Sequence, residues 1–337
     1  MMITNLLTID VEEWFHIHAF SRVISPKDWG IFETRVERTI YRILDLLDSA
    51  PLPLTPKARR RATFFILGWV AERHHALVKE IHTRGHEVAC HGYSHACIFN
   101  QEYDEFRHDI KKAKTILEDI TGKEVIGYRA STFSITPKTT WALNILREEG
   151  FLYDSSVFPI RHDYYGMPSA PRFPFIWHVA ESGPQIREID LENIPSFLCR
   201  SPEYSPCLIE FPMSTALVAG RRFPVGGGGY FRLYPYSLSK FLLRKIHKEG
   251  KPFIFYLHPW EIDPGIPKLG SAKILSRLRT YINLEKTEKM FQDLLSAFPF
   301  YSIADFIHEH KIINDRRIHH ETSSPLLSCK GNRSGSI

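Results

Sequence analysis

Short uninterrupted apolar runs alternate along this chain with longer stretches in which apolar residues recur every three or four positions. Residues 1–9 read as a buried strand with Asp10 at its carboxyl end. In 32–49 the apolar positions Val36, Ile40, Ile43, Leu44 and Leu47 are separated by charges, the spacing of an amphipathic helix. Pro51, Pro53 and Pro56 forbid helix and mark a loop. Residues 62–67 then predict a buried strand, 69–84 a helix, and the apolar segment after Gly85 a third strand that delivers His91. The rhythm continues with a charged helix over 103–121 closed by Gly122, a strand over 125–128, and a helix opened by Thr136-Pro137 and ended by Gly150. Such repetition predicts parallel strands covered by helices.

The middle of the chain, 159–229, breaks this rhythm. It is rich in Pro and aromatic residues, with strands predicted over 186–189 and 208–211, and reads as elaborated loops of the same domain. Gly226-Gly227-Gly228-Gly229 predicts a tight turn near the rim of a site rather than a strand-to-helix dinucleotide loop. A helix over 238–249, a strand over 252–257 and a last long helix over 284–297 follow. After 313 the apolar period is lost. The expected organisation is one catalytic domain over 1–312 and a disordered tail over 313–337.

Composition narrows the class. Of 337 residues, 43% are hydrophobic and 24% charged, as in a soluble globular protein. The net charge of +5 is too mild to point to nucleic acid, and Lys57-Ala58-Arg59-Arg60-Arg61 reads as a solvated loop edge. No apolar stretch is long enough to span a bilayer, and the first residues lack a secretory pattern. Cys90, Cys97, Cys199, Cys207 and Cys329 are irregularly spaced, which argues against a disulfide framework and for a cytoplasmic protein. Cys90 and Cys97 read as small buried residues.

The candidate chemistry collects at strand ends, where barrels and open α/β folds keep their sites. His91-Gly92-Tyr93-Ser94-His95 offers two imidazoles to one metal if the intervening backbone is helical or tightly turned. Hydrolytic metal sites commonly add one carboxylate and leave a position open for water, and Asp10, Glu12 and Glu13 are the available donors. Among 17 histidines such a pair is a weak signal by itself. Arg129 follows the strand at 125–128, and His258 follows the one at 252–257. Trp14, Phe15, Phe133 and Trp260 stand beside these residues, as a ligand-stacking wall or as packing at the mouth of a barrel.

The ordered set of Asp10 with Glu12, His91 with His95, Arg129 and His258 resembles the polysaccharide deacetylase family, the NodB-homology domain. Thr8-Ile9-Asp10-Val11-Glu12-Glu13-Trp14-Phe15, Tyr128-Arg129-Ala130-Ser131-Thr132-Phe133-Ser134-Ile135, Tyr153-Asp154-Ser155-Ser156, Phe158-Pro159-Ile160-Arg161-His162-Asp163 and Tyr256-Leu257-His258-Pro259-Trp260-Glu261 resemble its exosortase-linked exopolysaccharide subgroup. The resemblance spans about residues 4–305. It implies a distorted barrel of the (β/α)7 type and a divalent metal, Zn²⁺ first, with Co, Ni, Fe or Mn as alternatives. It further implies hydrolysis of an N-acetyl group on an amino sugar of a polysaccharide or its nucleotide- or lipid-linked precursor.

By the same resemblance Glu12, His91 and His95 hold the metal, Asp10 is the general base, Arg129 orients it, and His258 is the general acid. The expected oxyanion donor is a backbone N–H near Tyr128 or Arg129, and the His258 partner is Asp154 or Asp163. Trp14, Tyr128 and Trp260 are expected to contact substrate. Two departures stand out: Val11 replaces the second residue of the usual adjacent Asp pair, and Ser131 replaces the Pro two residues after Arg129. Cyclic amide hydrolysis on the same fold, as in allantoinases, and a scaffold with a decayed site are the rival readings.

Overall fold

The computed structural model describes residues 3–49, 60–162, 165–180, 183–188, 207–270, 274–310 and 312, so the expected tail over 313–337 lies outside the described residues. In chain order, β1 (Asn5–Val11), β2 (Thr63–Ile66), β3 (Glu87–Cys90), β4 (Gly127–Tyr128), β5 (Tyr153–Asp154), β8 (Cys207–Glu210) and β11 (Ile254–Leu257) run parallel, in the spatial order β11-β1-β2-β3-β4-β5-β8. The antiparallel β6 (Phe175–Ala180) and β7 (Gly183–Glu188) extend the sheet beyond β8. A separate hairpin pairs β9 (Thr215–Val218) with β10 (Arg221–Pro224), and β12 (Phe300–Tyr301) joins the start of β1. Within the gap between β8 and β11, Gly227 bridges to Tyr256 and the Ser214 hydroxyl accepts the Ile254 N–H at 2.7 Å. The result is a distorted barrel closed on one side by loop structure.

The strands sort their residues by parity, as the pleat requires. Leu7, Ile9 and Val11 of β1 join Phe64, Ile66 and Cys90 in the core beneath the helices. Leu6, Phe65, Ala89, Tyr153, Ile254 and Tyr256 form the barrel interior, sealed by α10 (Ile303–Glu309) through Ile303, Phe306 and Ile307. Position 11 therefore points to the helical layer, and Val11 is fully buried there. A carboxylate at 10 or 12 shares the inward parity.

The outer layer begins with α1 (Val36–Ser49), whose first turn is capped by Glu13: the Arg35 and Val36 N–H groups both donate to its carboxylate. The stretch 69–84 is two helices, α2 (Gly68–Ala71) and α3 (His75–Thr83), parted at His74, whose ψ of 51° is not helical. Helix α4 (Tyr103–Thr121) ends where predicted, at Gly122 with φ 64°. Helix α5 (Ala142–Glu148) starts later than the Thr136-Pro137 signal. There the Thr139 hydroxyl accepts the Thr136 N–H and donates to the Ser134 carbonyl, so side chains hold a turn where a helix could begin.

Two further expectations are corrected. Gly226-Gly229 does lie between a strand and a helix, β10 and α6 (Gly228–Leu233). Close approach is the reason: a Cβ on Gly227 would lie 1.9 Å from the Tyr256 carbonyl oxygen. Arg60 is not a solvated edge but is buried, donating to the Leu295 carbonyl at 3.0 Å, while Arg61 pairs with Asp305 at 2.8 Å. Helices α7 (Tyr236–Lys248), α8 (Ile274–Tyr281) and α9 (Leu284–Ala297) complete the layer. Among the described residues no helix is long and apolar enough to cross a membrane.

His86, just before β3, supplies a pH-dependent element of stability. Its Nδ1 accepts the Ala62 N–H at 3.3 Å, its Nε2 is buried without a hydrogen-bond partner among the described residues, and burial, helped by Arg84 and Arg61, holds the imidazole at about 4 against an ordinary 6.5. A depressed pKa means that the unfolded chain binds the proton more readily. The associated stability is thus complete above pH 6.5 and is lost as pH falls through about 4. His86→Gln keeps an acceptor and removes the titration. Urea midpoints at pH 7 and pH 4 are expected to diverge less in the variant, with a difference on the order of 3 kcal/mol at full protonation; parallel losses in both proteins would refute the assignment.

Candidate active site

Asp10 and Glu12 leave β1 on the inward parity, His91 leaves β3, Arg129 leaves β4 and His258 leaves β11, so the ends of four strands from the run β11-β1-β2-β3-β4 converge. Asp10, Glu12, His91 and His258 line a pocket of about 170 Å³ whose wall also includes His95, Thr132, Phe133, Tyr165, Tyr256 and Trp260, while Arg129 lies behind Asp10. The interior is buried: Asp10, Glu12 and His91 are each no more than 3% exposed.

Arg129 organises one half. Fully buried, its guanidinium donates to Asp10 Oδ1 at 2.6 Å, to the Thr8 hydroxyl at 2.7 Å, and to the Ser155 carbonyl and hydroxyl at 2.9 and 2.8 Å. An Arg so held fixes the Asp10 carboxylate by a charge-assisted bond. The other Asp10 oxygen, Oδ2, lies 3.8 Å from His258 Nε2.

The other half is a group of metal donors. Ligand atoms of Glu12, His91 and His95 lie within 4.8 Å of one another. The His91 Nδ1–H donates to the Arg129 carbonyl at 2.8 Å, which leaves Nε2 for the pocket. His95 Nε2 is 2.6 Å from Glu12 Oε2. The loop between the histidines is neither helical nor a regular turn: Gly92 has φ 74° and His95 φ 53°, and Asp109 of α4 accepts the N–H groups of Tyr93 and Ser94. Gly92 is required there, since a Cβ would stand 2.8 Å from Asp109 Oδ2. Two imidazoles and one carboxylate, buried and with one ring nitrogen already tied back, suit a divalent ion of the zinc type with room for water or substrate.

The electrostatics divide the histidines. Burial pulls His91 down to about 4, so it is a neutral donor. Burial also opposes the charge on His258, but Glu12, Glu261 and Asp10 outweigh it and hold the ring at about 9. Burial likewise opposes the Glu12 charge, and His95 and His258 overcome it, holding the carboxyl well below the usual range.

Several sequence expectations are corrected. Glu261, not Asp154, faces His258: its Oε1 lies 3.3 Å from Nδ1, and Arg232 stands 3.4 Å behind it. Asp154 is instead fully buried, accepts from the Ser156 hydroxyl and is hydrogen-bonded to Glu210; burial raises its pKa to about 6 against the lowering effect of these bonds. Asp163 lies outside the described residues. Glu261 was findable, because residues three apart on the short helical turn Pro259–Ile262 share a side with His258.

Tyr128 does not reach the pocket, because Arg129 takes the inward parity and leaves Tyr128 against Phe106 and Phe151 under the helices. Trp14 is 2% exposed, packs on Phe15 and Phe32, and donates its N–H to the Glu33 carbonyl. Glu13 is spent on the α1 cap. The Arg129 N–H is no oxyanion donor either, since it pairs with the Cys90 carbonyl, and the Ala130 N–H is taken by the Ser156 hydroxyl. Phe133, one of the expected aromatics, and Thr132, unforeseen, line the pocket with φ of 51° and 56°, a strained conformation for side-chain-bearing residues.

Trp260 does line the pocket, stacked at 5.2 Å on His258, with its Nε1–H donated to Glu12 Oε1 at 3.1 Å. Trp260→Phe keeps the ring and loses this bond. The variant is expected to bind Zn²⁺ at least about tenfold more weakly in a competition titration with a chromogenic chelator; unchanged affinity would show that Trp260 does not position Glu12.

Residues 42–151 match the family model described as polysaccharide deacetylase, and residues 190–308 match one described as a domain of unknown function. A peptidoglycan deacetylase-like protein of Gibberella zeae is 28% identical over 205 residues, which cover 57% of this chain and 56% of that protein. A peptidoglycan deacetylase of Helicobacter pylori is 34% identical over 139 residues, covering 40% of this chain and 42% of the relative. The chain thus spans about half the length of these curated relatives, or less. Among solved structures, one from Mycobacterium smegmatis named as a polysaccharide deacetylase superposes with a TM-score of 0.53 at 16% identity, covering 91% of each chain. The allantoinase Puue superposes equally well, with a TM-score of 0.53 at 14% identity over 90% of this chain and 88% of its own. Both share the fold, and over residues 42–151 the sequence is similar to the polysaccharide deacetylase family.

Proposed function

We propose that this protein is a metal-dependent hydrolase that removes N-acetyl groups from amino sugars. The observation that carries the reading is the convergence on one pocket of a buried His-His-carboxylate donor set, an Asp fixed by Arg129, and a His258 held protonated. Glu12, His91 and His95 would hold the ion, which we take to be Zn²⁺. When bound there, it polarises the amide oxygen and lowers the pKa of a coordinated water to about 7.

The chain's own residues do the rest. Asp10, pinned through Oδ1, presents Oδ2 to the pocket and takes the proton from the attacking water. His258, protonated at neutral pH and backed by Glu261, gives a proton to the departing amine at Nε2. Placed 3.8 Å from each other, base and acid face the same small volume. The absence of an adjacent Asp pair does not disable this arrangement, because Val11 points into the core and Glu12 recovers the inward parity.

We take the natural substrate to be an exopolysaccharide precursor on a nucleotide or lipid carrier, and the compartment to be the cytoplasm. A panel of N-acetylglucosamine oligomers and cyclic ureides tests the reaction class. Acetate from the oligomers with no ureide opening is the expected outcome; ureide hydrolysis without acetate release would replace the proposal with the cyclic amide reading.

A further inference from the structure

Residues 211–248 carry seven lysines and arginines and no carboxylate, although the whole chain nearly balances 43 such cations against 38 acids. Residues 264–284 add four more cations and again no acid. The two segments meet in the fold, where α6 packs on α8 and α7 packs on β9, with Lys245 of α7 donating to the Leu217 carbonyl at 3.2 Å. Arg232 is turned inward, buried against Glu261. Of the others, Arg221, Arg244, Lys248, Arg277 and Arg279 are exposed.

The same elements expose apolar side chains. Leu233 at the end of α6 and Leu278 of α8 are 55% and 60% exposed and line one cavity of about 410 Å³. Leu238 and Phe241, 41% and 55% exposed, lie one turn apart on α7, and Arg244 and Lys248 continue that face toward the end of the helix. The hairpin of β9 and β10 adds Leu217 and Phe223 at the margin. Isolated exposed leucines need no explanation, but six of the eleven large hydrophobic side chains exposed among the described residues are in this one acid-free region.

We infer that this face docks on an anionic membrane surface, with Leu233, Leu238, Phe241 and Leu278 entering the headgroup layer and the lysines and arginines meeting lipid phosphates. Charge selects the occupant. A second copy docked face to face would set cation against cation, and the flanking carboxylates Glu249 and Asp293 are already paired, with Arg172 and Lys289, each at 2.7 Å. Nucleic acid would satisfy the cations but give the leucines nothing to enter. Apolar side chains beside Lys and Arg on one helix face are what an interfacial helix presents to anionic lipid. Tyr165 and Tyr256 line both the 410 Å³ cavity and the catalytic pocket, so docking brings that pocket near the bilayer whatever reaction it performs.

Cosedimentation of the full chain with phosphatidylcholine vesicles, with and without phosphatidylglycerol, tests the inference. Wild type is expected to bind the phosphatidylglycerol vesicles about tenfold or more tightly than the neutral ones, and to weaken as salt rises. Leu238→Ser/Phe241→Ser keeps every charge and Arg244→Gln/Lys248→Gln keeps every apolar side chain, and each is expected to lose about tenfold in affinity or more. All four side chains are exposed, so both variants are expected to keep the wild-type circular dichroism. Absence of binding by wild type overturns the inference, and so does binding that survives either double substitution, since docking needs both the charge and the apolar side chains. A wild-type dimer that Leu238→Ser/Phe241→Ser dissociates would assign the face to a second copy, and binding of a DNA oligonucleotide that depends on both pairs would assign it to nucleic acid; either result overturns the membrane surface.

Discussion

Asp10→Asn is expected to lower kcat for acetate release by about 10²–10⁴-fold while leaving metal stoichiometry unchanged. The substitution keeps the shape of the side chain and its contact with Arg129, and removes the base. Asp10 contributes no atom to the donor group of Glu12, His91 and His95, so the ion should remain. Among the described residues it is also the one carboxylate that meets both Arg129, at 2.6 Å, and His258, at 3.8 Å. Loss of metal together with activity would show instead that Asp10 is a ligand. Full activity would remove it from the mechanism.

The second large effect belongs to the histidine pair. In His91→Ala/His95→Ala two of three donors vanish, and mass spectrometry of the purified variant is expected to find metal reduced from near-equimolar to background. The variant also leaves Glu12 buried without the imidazole that lies 2.6 Å away. Stability is therefore expected to drop as well, and thermal melts should accompany the metal assay so that unfolding is not read as a ligand effect. Equimolar metal in a folded double variant would place the ion elsewhere.

Much of this architecture is legible in the pattern of apolar positions, because parity and helical period are local properties. α9 runs over 284–297 as its spacing predicts, and Gly122 ends α4 in the left-handed region that favours glycine. The members of the site could be ordered along the chain, since each sits next to an apolar strand. Directions were harder to read. Tyr128 and Arg129 are adjacent, and only the position of β4 between β3 and β5 decides which one faces inward.

Partners distant in sequence were the least legible. The bond from Trp260 to Glu12 spans 248 residues, and that from Arg129 to Thr8 spans 121. No local period encodes such pairs. The α1 cap by Glu13 is a similar case, in which a residue that reads as a metal donor is committed to backbone N–H groups 22 and 23 positions on. The loop that carries His95 also depends on a distant group, Asp109, which replaces regular secondary structure with side-chain anchoring.

The most direct test of the central claim is acetate release from N-acetylglucosamine tetramer by protein stripped with a chelator and then titrated with Zn²⁺. The account predicts no release from the stripped protein and recovery that saturates at one equivalent of metal. Release that persists without metal, or a protein that binds one equivalent and frees no acetate, would contradict it.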